Sequence, residues 1–292
     1  MSDKYSIIFN PTANRGKAAS ALPKIEKFFN EHKLGYEILL TRRPDEATAL
    51  AEELSKGGNI IIAAGGDGTI HEVVNGMKLR RNVLGLLPLG SGNDFANALG
   101  YSHRLSANLN IIEDNNIRDI DLGQIDGKVF INSLAIGFDA VVADKFNRSK
   151  KFLPGKAAYL RAIFSAIWQL RSYPIKIQTA ELTDDKEVVM TAITNGHTYG
   201  GGLPINPTAK INDGLLNICV IEKLNRRYLT RNLPKLIKGK HGQLPEVTMF
   251  TSKKISLESD QGLPLALDGE IIEPQKKLTV NIIPKAIKII TK

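Results

Sequence analysis

Short apolar runs alternate with longer amphipathic stretches through the first part of the chain. The runs lie at residues 6–10, 36–41, 60–64 and 83–88, and the stretches between them, 17–31 and 45–56 among them, repeat their apolar residues at helical spacing. Strands separated by helices pair in parallel. The pattern therefore predicts an α/β domain with a mainly parallel sheet, whose ligands bind at the carboxyl ends of the strands. Beyond Asp121-Leu122-Gly123 the texture changes. Strand-like runs at 129–133, 188–194, 215–221, 254–258, 263–267 and 278–283 dominate, with one helix-like stretch at 156–171. Two domains are predicted: an α/β domain over residues 1–124 and a β-rich, sandwich-like domain over residues 125–285. A last apolar run, 286–292, fits either.

Residues able to do chemistry gather where the first four runs end. Gly65-Gly66-Asp67-Gly68-Thr69 joins run 60–64 to a helix-like segment opening with Ile70-His71-Glu72. Glycines let backbone N–H groups approach an anion, and a helix N-terminus favours negative charge there. Asp67 offers oxygen to the hard cation that accompanies phosphate. The segment reads as a nucleotide-phosphate turn with its own carboxylate; a plain helix-capping turn is the alternative. Walker A would need Gly-Lys-Ser/Thr, and the dinucleotide pattern fails because Glu72 and Val73 follow.

Run 6–10 ends in Asn10-Pro11-Thr12-Ala13-Asn14-Arg15-Gly16-Lys17, where Asn14 and Gly16 tolerate positive φ and can expose amides. Run 36–41 ends at Thr41, and run 83–88 ends in Leu89-Gly90-Ser91-Gly92-Asn93-Asp94, which adds a second carboxylate in Asp94. The second domain carries two Asp-Gly turns, Asp213-Gly214 within 210–215 and Asp268-Gly269 followed by Glu270. A carboxylate beside such a turn is rigidly aimed, as a general base must be.

Charge adds a partner class. The chain has 292 residues and a formal net charge of +9, so its surface attracts anions. Two segments combine basic and apolar residues: 145–156, with five Lys or Arg among Phe146, Phe152 and Leu153, and 226–241, with six Lys or Arg and no acidic residue. They suit an anionic membrane surface, a solvated helix face being the alternative. Neither has the aromatic spacing of a nucleic-acid platform, so no nucleic-acid partner is expected. No apolar run approaches the ~18 residues of a spanning helix. The opening residues lead too quickly into run 6–10 for a signal peptide. The single cysteine, Cys219, lies in an apolar run, which fits a buried thiol and a reducing cytoplasm.

Taken together and in order, several motifs resemble the soluble bacterial diacylglycerol kinases, within the superfamily of diacylglycerol, sphingosine and ceramide kinases. They are Asn10-Pro11, the 65–69 turn, the 88–96 segment, Gly200-Gly201-Gly202, Pro207-Thr208-Ala209, Asp213-Gly214-Leu215-Leu216 and Asp268-Gly269-Glu270. The resemblance implies an ATP-dependent kinase that phosphorylates a lipid hydroxyl, turning diacylglycerol into phosphatidic acid in phospholipid metabolism. It places ATP among Asn10, Pro11, Thr12, Ala13, Asn14, Thr41, Gly66, Asp67, Gly68, Thr69, Ser91 and Asp94. Asp67 and Asp94 would hold a catalytic Mg²⁺ largely through water. Asp213, with the carbonyls of Lys210 and Leu215, would hold a second, structural Mg²⁺, and Glu270 would be the base. The sequence departs from the family in three places: Asn14 where glycine is usual, Ser91 where Thr is frequent, and Asn212 where a second Asp is common. The implied setting is a cytoplasmic enzyme that visits the inner face of the membrane for its lipid, and a homodimer is compatible with it. An NAD kinase-like enzyme and a non-catalytic anion- or membrane-binding module are the rival readings.

Overall fold

The computed structural model describes residues 5–58, 60–149 and 155–292. The chain forms two compact units, Met1–Ile120 with Lys285–Lys292, and Asp121–Pro284.

In unit 1 the order is β1 (Tyr5–Phe9), α1 (Leu22–Glu31), β2 (Tyr36–Leu40), α2 (Glu46–Leu54), β3 (Ile60–Gly65), α3 (Asp67–Gly76), β4 (Val83–Pro88), α4 (Asp94–Ala98) and α5 (Leu105–Asp114). The strands lie in the order β2-β1-β3-β4, every pairing parallel. Both β1 and β3 are buried along their whole length, the physical reason β3 is an unbroken apolar run and β1 is apolar but for Ser6, whose hydroxyl donates to Glu37. Stretch 17–31 is a 3₁₀ turn followed by α1, which starts with Pro23 in its first turn and buries Ile25 and Phe29, four residues apart on one face.

A strand β5 (Ile117–Ile125) leads from unit 1 into unit 2. There follow β6 (Lys128–Phe130), β7 (Ser133–Gly137), α6 (Phe138–Ser149), α7 (Gly155–Ile167), β8 (Tyr173–Gln178), β9 (Thr183–Thr194), β10 (Leu216–Glu222), α8 (Arg226–Ile237), β11 (Val247–Ser252), β12 (Lys254–Leu267) and β13 (Glu270–Ile290). The pairings within this unit are antiparallel. Along one edge, the long strands β9 and β12 each pair with β8 over one part and with β7 over another. Among the described residues the parallel pairings β1–β2, β1–β3, β3–β4 and β4–β13 lie in unit 1 and the antiparallel ones are more numerous, so a mainly parallel sheet does not describe the chain. Short turns join the antiparallel neighbours β5–β6, β8–β9 and β12–β13, whereas parallel pairing needs a crossover such as the helices of unit 1 supply.

Two apolar layers meet on β10. Ile218 and Val220 enter a core between strands with Leu134, Ile193, Leu257 and Leu265, while Cys219 and Ile221 face a second core with Val142, Ile163 and Leu233 of helices α6, α7 and α8. Burial on both faces explains the continuous run 215–221.

Other expectations are corrected. Runs 254–258 and 263–267 are one strand, β12, with a register shift between them. Runs 278–283 and 286–292 fall largely on β13, which passes from unit 2 to unit 1 at Pro284 and Lys285 (φ 49°), and there pairs with β4 in parallel. Strand β8, with its alternating burial of Tyr173, Ile175 and Ile177, and helix α5 are not among the expected elements, while α8 and the end of α6 correspond to the solvated-helix alternative for segments 226–241 and 145–156.

Candidate active site

Unit 1 brings four strand ends to one edge of its sheet. Thr41 follows β2 and continues the ladder by donating its N–H to the Phe9 carbonyl, as Asn10 does to Ala64 and Leu89 to Gly65. The Asn10 side chain ties its loop to the glycine turn: Nδ2 donates to Thr69 Oγ1 at 2.9 Å, and Oδ1 accepts the N–H and hydroxyl of Thr12. Beyond Pro11 and Ala13 the chain turns through Asn14, Arg15 and Gly16, all at positive φ. Asn14 therefore occupies a left-handed position that glycine would fill without strain.

The turns after β3 and β4 press backbone against backbone. A Cβ on Gly90 would lie 2.6 Å from Gly66 Cα, and one on Gly66 would lie 3.3 Å from Gly90 Cα. Asn93, buried and left-handed at φ 55°, staples the second turn by accepting the Gly90 N–H and donating to the Gly90 carbonyl. The sequence marks Asn93 only as an amide in the 91–94 turn; its place just before a helix, in the left-handed region, is the signal for this stapling role.

Helix α3 begins at Asp67 with no side-chain cap, leaving its first-turn amides available to an anion. The Asp67 carboxylate faces the start of α4, where it accepts the Phe95 N–H at 3.4 Å. A Cβ on Gly92 would come within 3.1 Å of its Oδ2. Burial first, and the neighbouring Asp94 second, push the Asp67 pKa up to about 6. Two carboxylates in a shielded corner repel, and a bound cation relieves that, so these residues fit a divalent ion. Ser91 is exposed at the tip of the turn.

Unit 2 holds the other predicted carboxylates. Asp268 (φ 47°) and Gly269 (φ 88°) form a two-residue reversal between β12 and β13, with Leu267 opposite Glu270. Positive φ at both central residues is the geometry that Asp-Gly hairpins favour. The Asp268 carboxylate accepts the N–H groups of Ile131, Asn132 and Ser133, each at 2.9 Å. Glu270 is exposed at the start of the outgoing strand.

In loop 210–215, Asp213 Oδ1 accepts the Leu215 N–H at 3.1 Å and Gly214 (φ 75°) donates to Asp121 Oδ2 at 2.7 Å. Asp121 thus holds this loop, a role hidden in a residue that looked only like a boundary. Among the described residues no three His, Cys, Asp or Glu side chains form a metal cluster. A cation near Asp213 would rest on one carboxylate supplemented by backbone carbonyls, donors a hard cation accepts.

The basic-apolar segments divide. Segment 226–241 is mostly α8, which buries Leu229 and Leu233 and exposes its basic residues. Of segment 145–156, residues 150–154, with Phe152 and Leu153, lie outside the described residues. Phe146 is no surface anchor, since its ring packs edge-on to Tyr159 at 5.6 Å. The exposed apolar residues near α7 are instead Phe164 (52% exposed) and Trp168 (75%), the latter under the Arg226 guanidinium at 5.9 Å.

Comparison with known proteins agrees with this layout. Residues 4–125 match the family model "Diacylglycerol kinase catalytic domain", and residues 132–291 match "YegS C-terminal NAD kinase beta sandwich-like domain". The chain is 30% identical over 269 residues to a diacylglycerol kinase of Staphylococcus haemolyticus, covering 90% of this chain and 81% of that one. It is 30% identical over 275 residues to a diacylglycerol kinase of Staphylococcus aureus, covering 92% and 87%. A crystal structure titled a diacylglycerol kinase of Bacillus anthracis shares the fold, with a TM-score of 0.79, 22% identity and coverage of 99% and 97%. Two relatives at 30% identity over most of both chains, with the diacylglycerol kinase catalytic-domain model matching residues 4–125, establish that the protein belongs to the diacylglycerol kinase family of lipid kinases and is an enzyme.

Proposed function

We propose that this kinase transfers the γ-phosphoryl group of ATP to a lipid hydroxyl, with diacylglycerol as acceptor and phosphatidic acid as product. The observation that carries the reading is the Asp67 corner, an enclosed carboxylate at the meeting of two glycine turns and an uncapped helix start. Phosphoryl transfer is mostly positioning and electrostatics, and that corner offers both. The α3 amides of Gly68 and Thr69 take the phosphates, Gly66 leaves room for them, and Asn10, Pro11, Thr12, Ala13, Asn14, Thr41 and Ser91 surround the nucleotide. Asp67 and Asp94 would hold Mg²⁺, which would supply charge neutralisation on the phosphoryl oxygens. Asp213 with the Lys210 and Leu215 carbonyls holds a second ion that stiffens its loop. Glu270 accepts the proton of the lipid hydroxyl.

The acyl chains stay in a bilayer that the protein visits from its cytoplasmic side. No helix among the described residues is long and apolar enough to cross a membrane. The basic face of α8, with Trp168 and Phe164, supplies reversible docking to anionic lipid. The test is ³²P-γ-ATP with Mg²⁺ and total lipid extract, with thin-layer separation of the product and NAD as a parallel acceptor. Label in phosphatidic acid is expected. Label in NADP alone, or in no product, overturns the reading.

A further inference from the structure

The reversal that carries Glu270 is held unevenly. Its first residue, Asp268, is clamped by three N–H groups and donates its own N–H to the Ser133 carbonyl at 2.8 Å. Its second residue has no side chain, and a Cβ placed on Gly269 would meet nothing within 4 Å, so packing does not restrain that side of the turn. Glycine's conformational freedom leaves the 269–270 peptide able to rock. That peptide directly sets where the Glu270 side chain points.

Among the described residues, a hydrogen bond from outside the hairpin meets it. Asn147 Nδ2, near the end of α6, donates to the Gly269 carbonyl at 2.7 Å. Helix α6 is itself anchored at its start, where the buried Asp139 accepts the Tyr159 hydroxyl at 3.2 Å and the Tyr199 hydroxyl. The helix also buries Val142 among α7 residues such as Ile163. A braced helix thus extends one amide to the peptide that precedes Glu270.

We infer that Asn147 is a positioning residue for phosphoryl transfer: by holding the Gly269 carbonyl it fixes the 269–270 peptide and the direction of the Glu270 carboxylate. The inference rests on Glu270 being the base. Its chemical basis is that a base must meet its proton within hydrogen-bond reach, and small misplacement slows the reaction without weakening substrate binding. The sequence carries no sign of this pairing, since the partners are 122 positions apart.

The test is a double-mutant cycle. Turnover, KM for ATP and melting temperature are measured for wild type, Asn147→Leu, Glu270→Gln and the double variant, with Asn147→Ala as a second way to remove the donor and Asn147→Gln to restore an amide. Asn147→Leu and Asn147→Ala are expected to lower kcat about tenfold with KM for ATP within about twofold, and Asn147→Gln to recover part of the loss. Adding Asn147→Leu to Glu270→Gln should change turnover less than about twofold, because a base already removed cannot be misaimed. Equal losses in both backgrounds reduce Asn147 to a structural support and overturn the inference. So does wild-type kcat in both donor-less variants while Glu270→Gln is impaired. Full turnover in Glu270→Gln rejects the base reading itself, whatever the Asn147 variants do.

Discussion

The two carboxylate sites are built in opposite ways. In unit 1, Asp67 sits in a corner made almost wholly of backbone, where glycines at 66 and 90 let two turns touch and the carboxylate is shielded enough to raise its pKa to about 6. In unit 2, Glu270 is an exposed side chain on a hairpin held by neighbours: Asp268 grips three amides and Asn147 holds the carbonyl before Glu270. A phosphate site must present many N–H groups and exclude side chains, which glycine turns at strand ends achieve. A base needs one group, free to reach the substrate hydroxyl and aimed by a stiff support.

The comparison breaks most visibly if the two acids are removed. Glu270→Gln is expected to cut turnover by roughly 10² to 10⁴ while calorimetry still finds normal ATP binding. Asp67→Asn retains an oxygen for the Phe95 N–H but loses the charge, so turnover should fall by more than about 10² and Mg²⁺-dependent ATP binding should weaken as well. If both variants bind ATP alike, the division of labour between the units is wrong.

Removing the support behind the second site is the next largest effect, and it reads out as stability. Asp268→Ala leaves three backbone N–H groups without their acceptor and should lower unfolding free energy by about 2–4 kcal/mol in denaturant melts. An unchanged midpoint would mean that the hairpin is held by its strands alone.

A smaller effect concerns the brace of α6. Burial pushes the Asp139 pKa up to about 6 against the opposing pull of its Tyr199 and Tyr159 hydrogen bonds. A raised pKa in the folded state means that folding favours the protonated acid. The stability from this residue is fully present below about pH 4 and is lost as pH rises through about 6. Asp139→Asn, which cannot ionise, should therefore gain on wild type by on the order of 1–3 kcal/mol between pH 4 and 7. Parallel melting curves across that range would show that the carboxylate is not penalised.

Much of unit 1 was legible because its signals are local. Runs such as 60–64 are apolar throughout since β3 is buried on both faces, and the turn at 65–69 advertises itself through glycines that backbone contact requires. Unit 2 was legible only in pieces. β8 alternates buried and exposed residues, but its Pro174 and Lys176 fall on the exposed positions and mask the strand pattern. β12 looked like two strands because residues 259–262 are polar or glycine where its register shifts. Helices α6 and α8 carry enough basic residues to look like surface segments, while the inward stripe of α8, Leu229 and Leu233, is narrow.

What the amino-acid order determined by itself was the local form of the candidate site: a glycine turn with Asp67, a following turn with Asp94, and an Asp-Gly reversal before Glu270. Each depends on residues adjacent in the chain, where spacing dictates φ and the direction of amides. What only the tertiary structure decided was how those groups are held. Asp67 is shielded by residues 92–95, Asp121 grips the loop at Gly214, residues 131–133 clamp Asp268, and Asn147 reaches Gly269. Those partners lie far apart in sequence, and a hydrogen bond across such a separation leaves no periodicity or motif, because its geometry exists only once the strands and helices have packed.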